Sequence, residues 1–123
     1  MGRRVLLIED EPHIAEAIRY ILARDGWAVA SHGEGDRALE VIRREAPDVV
    51  VLDLLLPGRS GYDILEDLRA DPDLASLPVL VISARGPGEA RVAAEGAAGH
   101  ARFIAKPFAN ADILAALRQM AGA

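Results

Sequence analysis

Apolar residues in this chain follow two alternating patterns. The first is a short uninterrupted run: Val5–Ile8, Val49–Leu52 and Pro78–Ile82 are apolar at every position, with weaker runs at Trp27–Ala30 and Phe103–Ala105. The second is helical spacing. Ile14, Ala17, Ile18, Ile21 and Leu22 follow Pro12, whose missing N–H suits the first turn of a helix, and Gly26 offers a stop. A second helix is predicted over 35–45 with Ala38, Leu39 and Ile42 inward, and a third over 61–70, after a Pro57-Gly58 turn, with Ile64, Leu65 and Leu68 inward. An Ala-rich fourth is predicted over 89–98 behind Gly86-Pro87-Gly88, and a fifth over 112–120 with Ile113, Leu114 and Leu117 inward. Strands alternating with helices predict an α/β domain in which a parallel sheet lies between two helical layers. The unbroken run Val49–Leu52 fits a central strand covered on both faces.

Composition narrows the picture. A chain of 123 residues suits one domain spanning 1–123, and 51% hydrophobic with 27% charged residues reads as globular. With no Cys there is no disulfide framework, no Cys-ligated zinc and no thiol chemistry. Fourteen basic against 19 acidic residues give a net charge of −5, which disfavours general nucleic-acid binding. Among the basic residues 13 are Arg and one, Lys106, is Lys. Glu9, Asp10 and Glu11 end the first apolar run well short of a signal-peptide core, and no stretch approaches the roughly 18 apolar residues of a membrane helix. A cytoplasmic protein without membrane contact is expected.

Chemistry gathers where the strands end. The first strand runs into Glu9-Asp10-Glu11, the third into Asp53, the fourth into Ser83 and the fifth into Lys106-Pro107. In a parallel sheet these positions converge on one crevice at the carboxyl edge. Each has a plainer use: acidic residues after a strand commonly cap the next helix, Ser does the same, and a lone Lys is ordinarily a surface residue. Together they describe a site. Three carboxylates in one pocket repel and call for a cation, and oxygen-only ligands point to Mg²⁺. A divalent cation, an ammonium and a hydroxyl can hold the outer oxygens of a phosphoryl group while Asp53 serves as nucleophile, forming an acyl phosphate.

These residues resemble the receiver domain of bacterial two-component response regulators, of the chemotaxis-regulator kind. The resemblance rests on Ile8-Glu9-Asp10-Glu11-Pro12, on Asp53-Leu54-Leu55-Leu56-Pro57-Gly58 with Gly61, on Ile82-Ser83-Ala84 and on Lys106-Pro107-Phe108, and it covers about Arg4 to Gln119. It implies a flavodoxin-like three-layer sandwich with five parallel strands in the order 2-1-3-4-5 and five helices. It further implies that Asp53 accepts a phosphoryl group from the phosphohistidine of a sensor histidine kinase or phosphotransfer protein. Asp10, Asp53 and the main-chain carbonyl of Leu55 would ligate Mg²⁺, and Glu9 would hold one of its waters. Lys106 would pair with the phosphoryl group, Ser83 would swing in to bond it, and Phe103 would turn inward as the switch. The fourth helix, fifth strand and fifth helix would then present an altered face to a partner. Such a domain is a phosphoacceptor rather than an enzyme, limited to Mg²⁺-dependent self-phosphorylation and slow self-dephosphorylation.

The sequence departs from the family pattern in places. Ser stands at 83 where Thr is commoner, and Phe at 103 where Tyr is frequent. Gly99-His100-Ala101-Arg102 lacks the acidic pair many transcription-factor receivers carry before the fifth strand, which removes partners for one familiar dimer. A monomer or weak phosphorylation-dependent dimer is expected, together with a downstream protein or a separate output domain, since the last predicted helix ends near the end of the chain. Leu55 and Arg85 flank the path of a hydrolytic water and neither activates it, so the acyl phosphate should be long-lived. Three alternatives compete. A haloacid-dehalogenase-like phosphatase needs an Asp where Leu55 stands; an FMN-binding flavodoxin would not place Glu9-Asp10-Glu11 at its phosphate loop; a pseudo-receiver serving only as an interaction module has no need of Asp53, Ser83 and Lys106 together.

Overall fold

The computed structural model describes residues 3–83 and 101–120, and the helix predicted over 89–98 lies outside them, as does Arg85. In chain order the described elements are β1 (Arg4–Ile8), α1 (Pro12–Arg24), β2 (Ala28–His32), α2 (Ala38–Glu45), β3 (Val49–Asp53), α3 (Gly61–Ala70), β4 (Val79–Ser83), β5 (Ala101–Ala105) and α4 (Asn110–Met120). The strands form one sheet in the order β2-β1-β3-β4-β5, every neighbouring pair parallel. This is the expected flavodoxin-like arrangement. Among the described residues no helix is long and apolar enough to cross a membrane.

Burial follows from position in the sheet. β3 and β4 are buried at every residue, whereas the edge strands β2 and β5 are only partly covered. Successive side chains on a strand point to opposite faces, which divides the core in two. Leu6, Ile8, Val50, Leu52, Val79 and Val81 pack with Val41, Ile42, Ile64 and Leu68 of α2 and α3. Val5, Leu7, Val49, Val51, Leu80 and Ile82 pack with Ile18 and Leu22 of α1 and with Ile113 and Leu117 of α4.

Local chemistry sets the helix ends. Glu11 caps α1, its carboxylate accepting from the His13 and Ile14 N–H groups at 3.2 and 3.1 Å, with Pro12 in the first turn. Gly26, at φ +94°, stops the helix in a conformation L side chains rarely adopt. The Asp25 carboxylate then gathers Trp27 Nε1 at 3.3 Å and the guanidinium of Arg118 on α4, joining segments far apart in sequence. Ser60 caps α3 by accepting from Asp63 N at 3.2 Å.

Element bounds differ from expectation in places: β5 begins at Ala101 rather than 103 and α4 at Asn110 rather than 112. α2 starts at Ala38 rather than 35, because Arg37 takes a left-handed conformation (φ 62°), and its inner face carries Val41 rather than Leu39, which is half-buried. β2 runs Ala28–His32, so Trp27 precedes the strand and is buried against the α1 and α4 layer.

Leu22 is fully buried, whereas Tyr20, two residues earlier on the same helix, is 60% exposed. Leu22→Ala is therefore expected to cost about 2–5 kcal/mol and Tyr20→Ala no more than about 0.5 kcal/mol, read as shifts in the urea unfolding midpoint.

Candidate functional site

The site forms where three inner strands and one edge strand run out together. Asp53 is the last residue of β3 and Glu9 follows β1, and both extend rows of odd-numbered positions (Val49, Val51; Val5, Leu7) that face α1 and α4. The Glu9 amide donates to His32 O at 3.2 Å, carrying the β1–β2 ladder one step past the strand. The Lys106 amide donates to Ser83 O at 2.9 Å and does the same beside β4; the Lys106-Pro107 peptide that follows is cis.

Glu9, Asp10 and Asp53 each offer a carboxylate oxygen, and these oxygens all lie within 4.8 Å of one another. Glu9 and Asp53 are buried, at 4% and 2% exposure, while Asp10 is exposed to solvent. Lys106 Nζ stands 2.9 Å from Glu9 Oε1 and 3.2 Å from Asp53 Oδ2, at the buried end of the cluster. The second Asp53 oxygen accepts from Leu55 N at 3.1 Å, and Glu9 Oε2 from Glu11 N at 3.1 Å. The contact of Lys106 with Glu9 is an ion pair without hydrogen-bond alignment, which leaves Glu9 Oε1 buried with no hydrogen-bond partner.

The electrostatics follow. Burial foremost, then the hydrogen bond shared with Asp53, pushes the Glu9 carboxyl up to about 7; the Glu11 N–H and Lys106 offset part of this. Burial acts to lower the Lys106 ammonium, but its close contact with the Glu9 carboxylate and the charges of Asp53 and Glu9 outweigh it and leave the group above its ordinary value. A buried, under-coordinated carboxylate oxygen beside two more acids, with no nitrogen or sulfur donor among them, suits a hard divalent cation.

Of the residues singled out in the sequence, Glu9, Asp10, Asp53 and Lys106 come together here. Glu11, the third acid of the run, is the helix cap and not part of the cluster. Ser83 ends β4 fully buried, and Phe103 is half-buried on β5 opposite Val81. Phe103 packs in the α2 and α3 layer with Val79 and Val81, the face that Ser83 shares by strand alternation. Leu55 follows at the mouth, 43% exposed. Gly61, one of the residues that carry the resemblance, is closed in by Leu54, whose Cα a Cβ would approach to 2.6 Å; Gly35, from another loop, abuts the segment after Asp53 at Arg59 and carried no signal in the sequence.

Comparison with known proteins agrees with the fold and places the chain in a family. The response regulator receiver domain family matches residues 5–118, and the chain belongs to that family. It is similar to the probable transcriptional regulatory protein TcrX of Mycobacterium tuberculosis, 39% identical over 94% of this chain and 48% of that protein. It is similar too to the DNA-binding response regulator MtrA of Mycolicibacterium smegmatis, 33% identical over 96% of this chain and 50% of that one. The chain thus spans about half the length of the curated relatives it matches. Among solved structures, a putative response regulator from Chloroflexus aurantiacus superposes with a TM-score of 0.91 at 28% identity over the whole of both chains. The receiver domain of the sensor histidine kinase PA1611 from Pseudomonas aeruginosa, which carries a magnesium ion in its active-site cleft, gives 0.87 at 26% identity, again over both whole chains.

Glu9 also makes stability depend on pH. Its carboxyl releases a proton near 4.5 when unfolded and near 7 when folded, so the native state holds the extra proton between those values. The stability this contributes is complete below about 4.5 and is lost as pH rises through about 7. In chelator-treated protein the urea midpoint should fall across that window, and Glu9→Gln should flatten the slope; a midpoint rising with pH in both proteins would contradict the assignment.

Proposed function

We propose that the whole chain, 1–123, is one receiver domain in which Asp53 accepts a phosphoryl group from the phosphohistidine of a sensor histidine kinase or phosphotransfer protein. The observation that carries this reading is the cluster itself: two acids within reach of a buried Asp53, with Lys106 Nζ 3.2 Å from that nucleophile. An Asp53 oxygen attacks phosphorus, the P–O bond forms as the P–N bond breaks, and the imidazole leaves with the electron pair. Lys106 follows the negative charge from the carboxylate to the phosphoryl oxygens, and the Leu55 N–H orients the carboxylate from its other oxygen. Asp10, Asp53 and the Leu55 carbonyl would hold Mg²⁺, with Glu9 reaching it through a water, and the ion would supply the remaining charge neutralisation.

The new phosphoryl oxygens would draw Ser83 toward them, and space vacated on its face would admit the Phe103 ring. The predicted fourth helix, β5 and α4 would then offer a changed surface to a downstream protein or output domain. A groove of about 480 Å³ beside Lys106, lined by His13, Ile14 and Ala17 of α1 and by Pro107 and Phe108, supports approach of the phosphodonor protein from that side.

Mass spectrometry after incubation with acetyl phosphate and Mg²⁺ tests the reading. One phosphoryl adduct is expected on the parent and none on Asp53→Asn. An adduct on both would move the acceptor elsewhere; an adduct on neither would favour the interaction module. Leu55 has no group to activate water at the mouth, so the phosphoprotein, once isolated, should persist for minutes or longer. Loss of the adduct within seconds would contradict this.

A further inference from the structure

The loop joining β2 to α2 meets the loop that follows Asp53, and they meet backbone to backbone. The Gly35 N–H donates to Pro57 O at 3.0 Å. A Cβ on Gly35 would overlap the carbonyl of Arg59 and come within 3.0 Å of its Cα. These are main-chain atoms, so no rotamer change relieves the overlap. The φ of Gly35 lies outside the left-handed region, which makes close approach, and not backbone conformation, the reason for glycine here.

Both ends of the contact are anchored. Arg59 is fixed to α3 by a bidentate pair with Asp67, at 2.6 and 2.9 Å. On the other side, His32 Nε2 bonds Asp36 O at 2.7 Å, and His32 O accepts the Glu9 amide at 3.2 Å. A continuous path therefore runs from the backbone of Glu9 through residues 32–36 to residues 57–59, and residues 53–55 lie immediately upstream of it. Gly61 closes the far side, donating to Leu54 O at 3.1 Å. The segment between Asp53 and α3 is held from two directions.

We propose that Gly35 is a positioning residue for the metal and phosphoacceptor site, setting through the backbone of residues 57–59 where the Asp53 carboxylate and the Leu55 carbonyl stand. The proposal rests on the reading of the acidic cluster as a Mg²⁺ site. A side chain at 35 displaces residues 57–59 and loosens the ligand set without touching any ligand. Supporting groups of this kind typically change metal affinity about 10-fold or more when altered.

Three variants separate positioning from simple destabilisation. Gly35→Ala introduces the overlap. Gly33→Ala lies in the same loop with nothing within 4 Å of its Cβ, and Gly26→Ala is strained by its φ of +94° but lies at the opposite end of the sheet. In calorimetric Mg²⁺ titrations, Gly35→Ala is expected to bind about 10-fold more weakly than the parent. Gly33→Ala and Gly26→Ala should bind as the parent does, although Gly26→Ala unfolds at lower urea. Equal affinities for Gly35→Ala and the parent, or an equal loss in Gly26→Ala, would overturn the proposal. A parent that binds no Mg²⁺ would instead overturn the metal reading on which it rests. Amide exchange in the parent answers the same question should Gly35→Ala fail to fold. Coupling is reciprocal, so Mg²⁺ saturation should slow exchange at the Gly35 amide and leave Ala46, at the far end of α2, unchanged. No slowing at Gly35 in a parent that binds Mg²⁺ would refute the link.

Discussion

One ammonium among buried acids governs this molecule. Lys106 Nζ touches both Glu9 and Asp53, whose carboxylates are almost wholly removed from water. Taking charges out of water costs several kcal/mol per ion and is recovered only where partners are placed well. Glu9 is not fully compensated: its carboxyl is held far above its ordinary range, and one of its oxygens lacks a hydrogen bond. The cluster is tolerable because its members are fixed by the ends of strands packed on both faces, and strand ends cannot drift apart without opening the sheet. The apolar runs of β1, β3 and β4 thus hold the acids at close range against their repulsion.

The connecting loops finish what the strands begin. Glu11, next to the cluster, turns its carboxylate into α1, while its amide still reaches back to Glu9. Lys106 is held through its own amide to the last residue of β4, so the ammonium rides on the same ladder as the acids it meets. Each charged group is positioned by backbone, with few side-chain supports that could rearrange.

Much of this was legible in the sequence, for physical reasons. Unbroken apolar runs identify doubly covered strands, and residues at their carboxyl ends converge once the strands are parallel, so Glu9, Asp10, Asp53 and Lys106 could be brought together on paper. Periodicity served less well where helices are short: in α2 one left-handed residue, Arg37, moves the start to Ala38 and brings Val41 rather than Leu39 inward. The division of labour within Glu9-Asp10-Glu11 was likewise hidden, because capping and clustering ask for the same residue types. Gly35 was illegible for a different cause. Its role lies in a contact with Arg59, across two elements, and nothing local distinguishes it from Gly33 two residues before.

Strand alternation leaves the two sides of the sheet with different contents. Glu9, Asp53 and Lys106 close the side packed on α1 and α4, while Phe103 lies with the α2 and α3 layer. The sheet is therefore a partition one residue thick. Whatever changes among the acids reaches the α2 and α3 side only through the strands themselves, at residues such as Ser83, whose carbonyl accepts the Lys106 amide while its side chain lies on the Phe103 face.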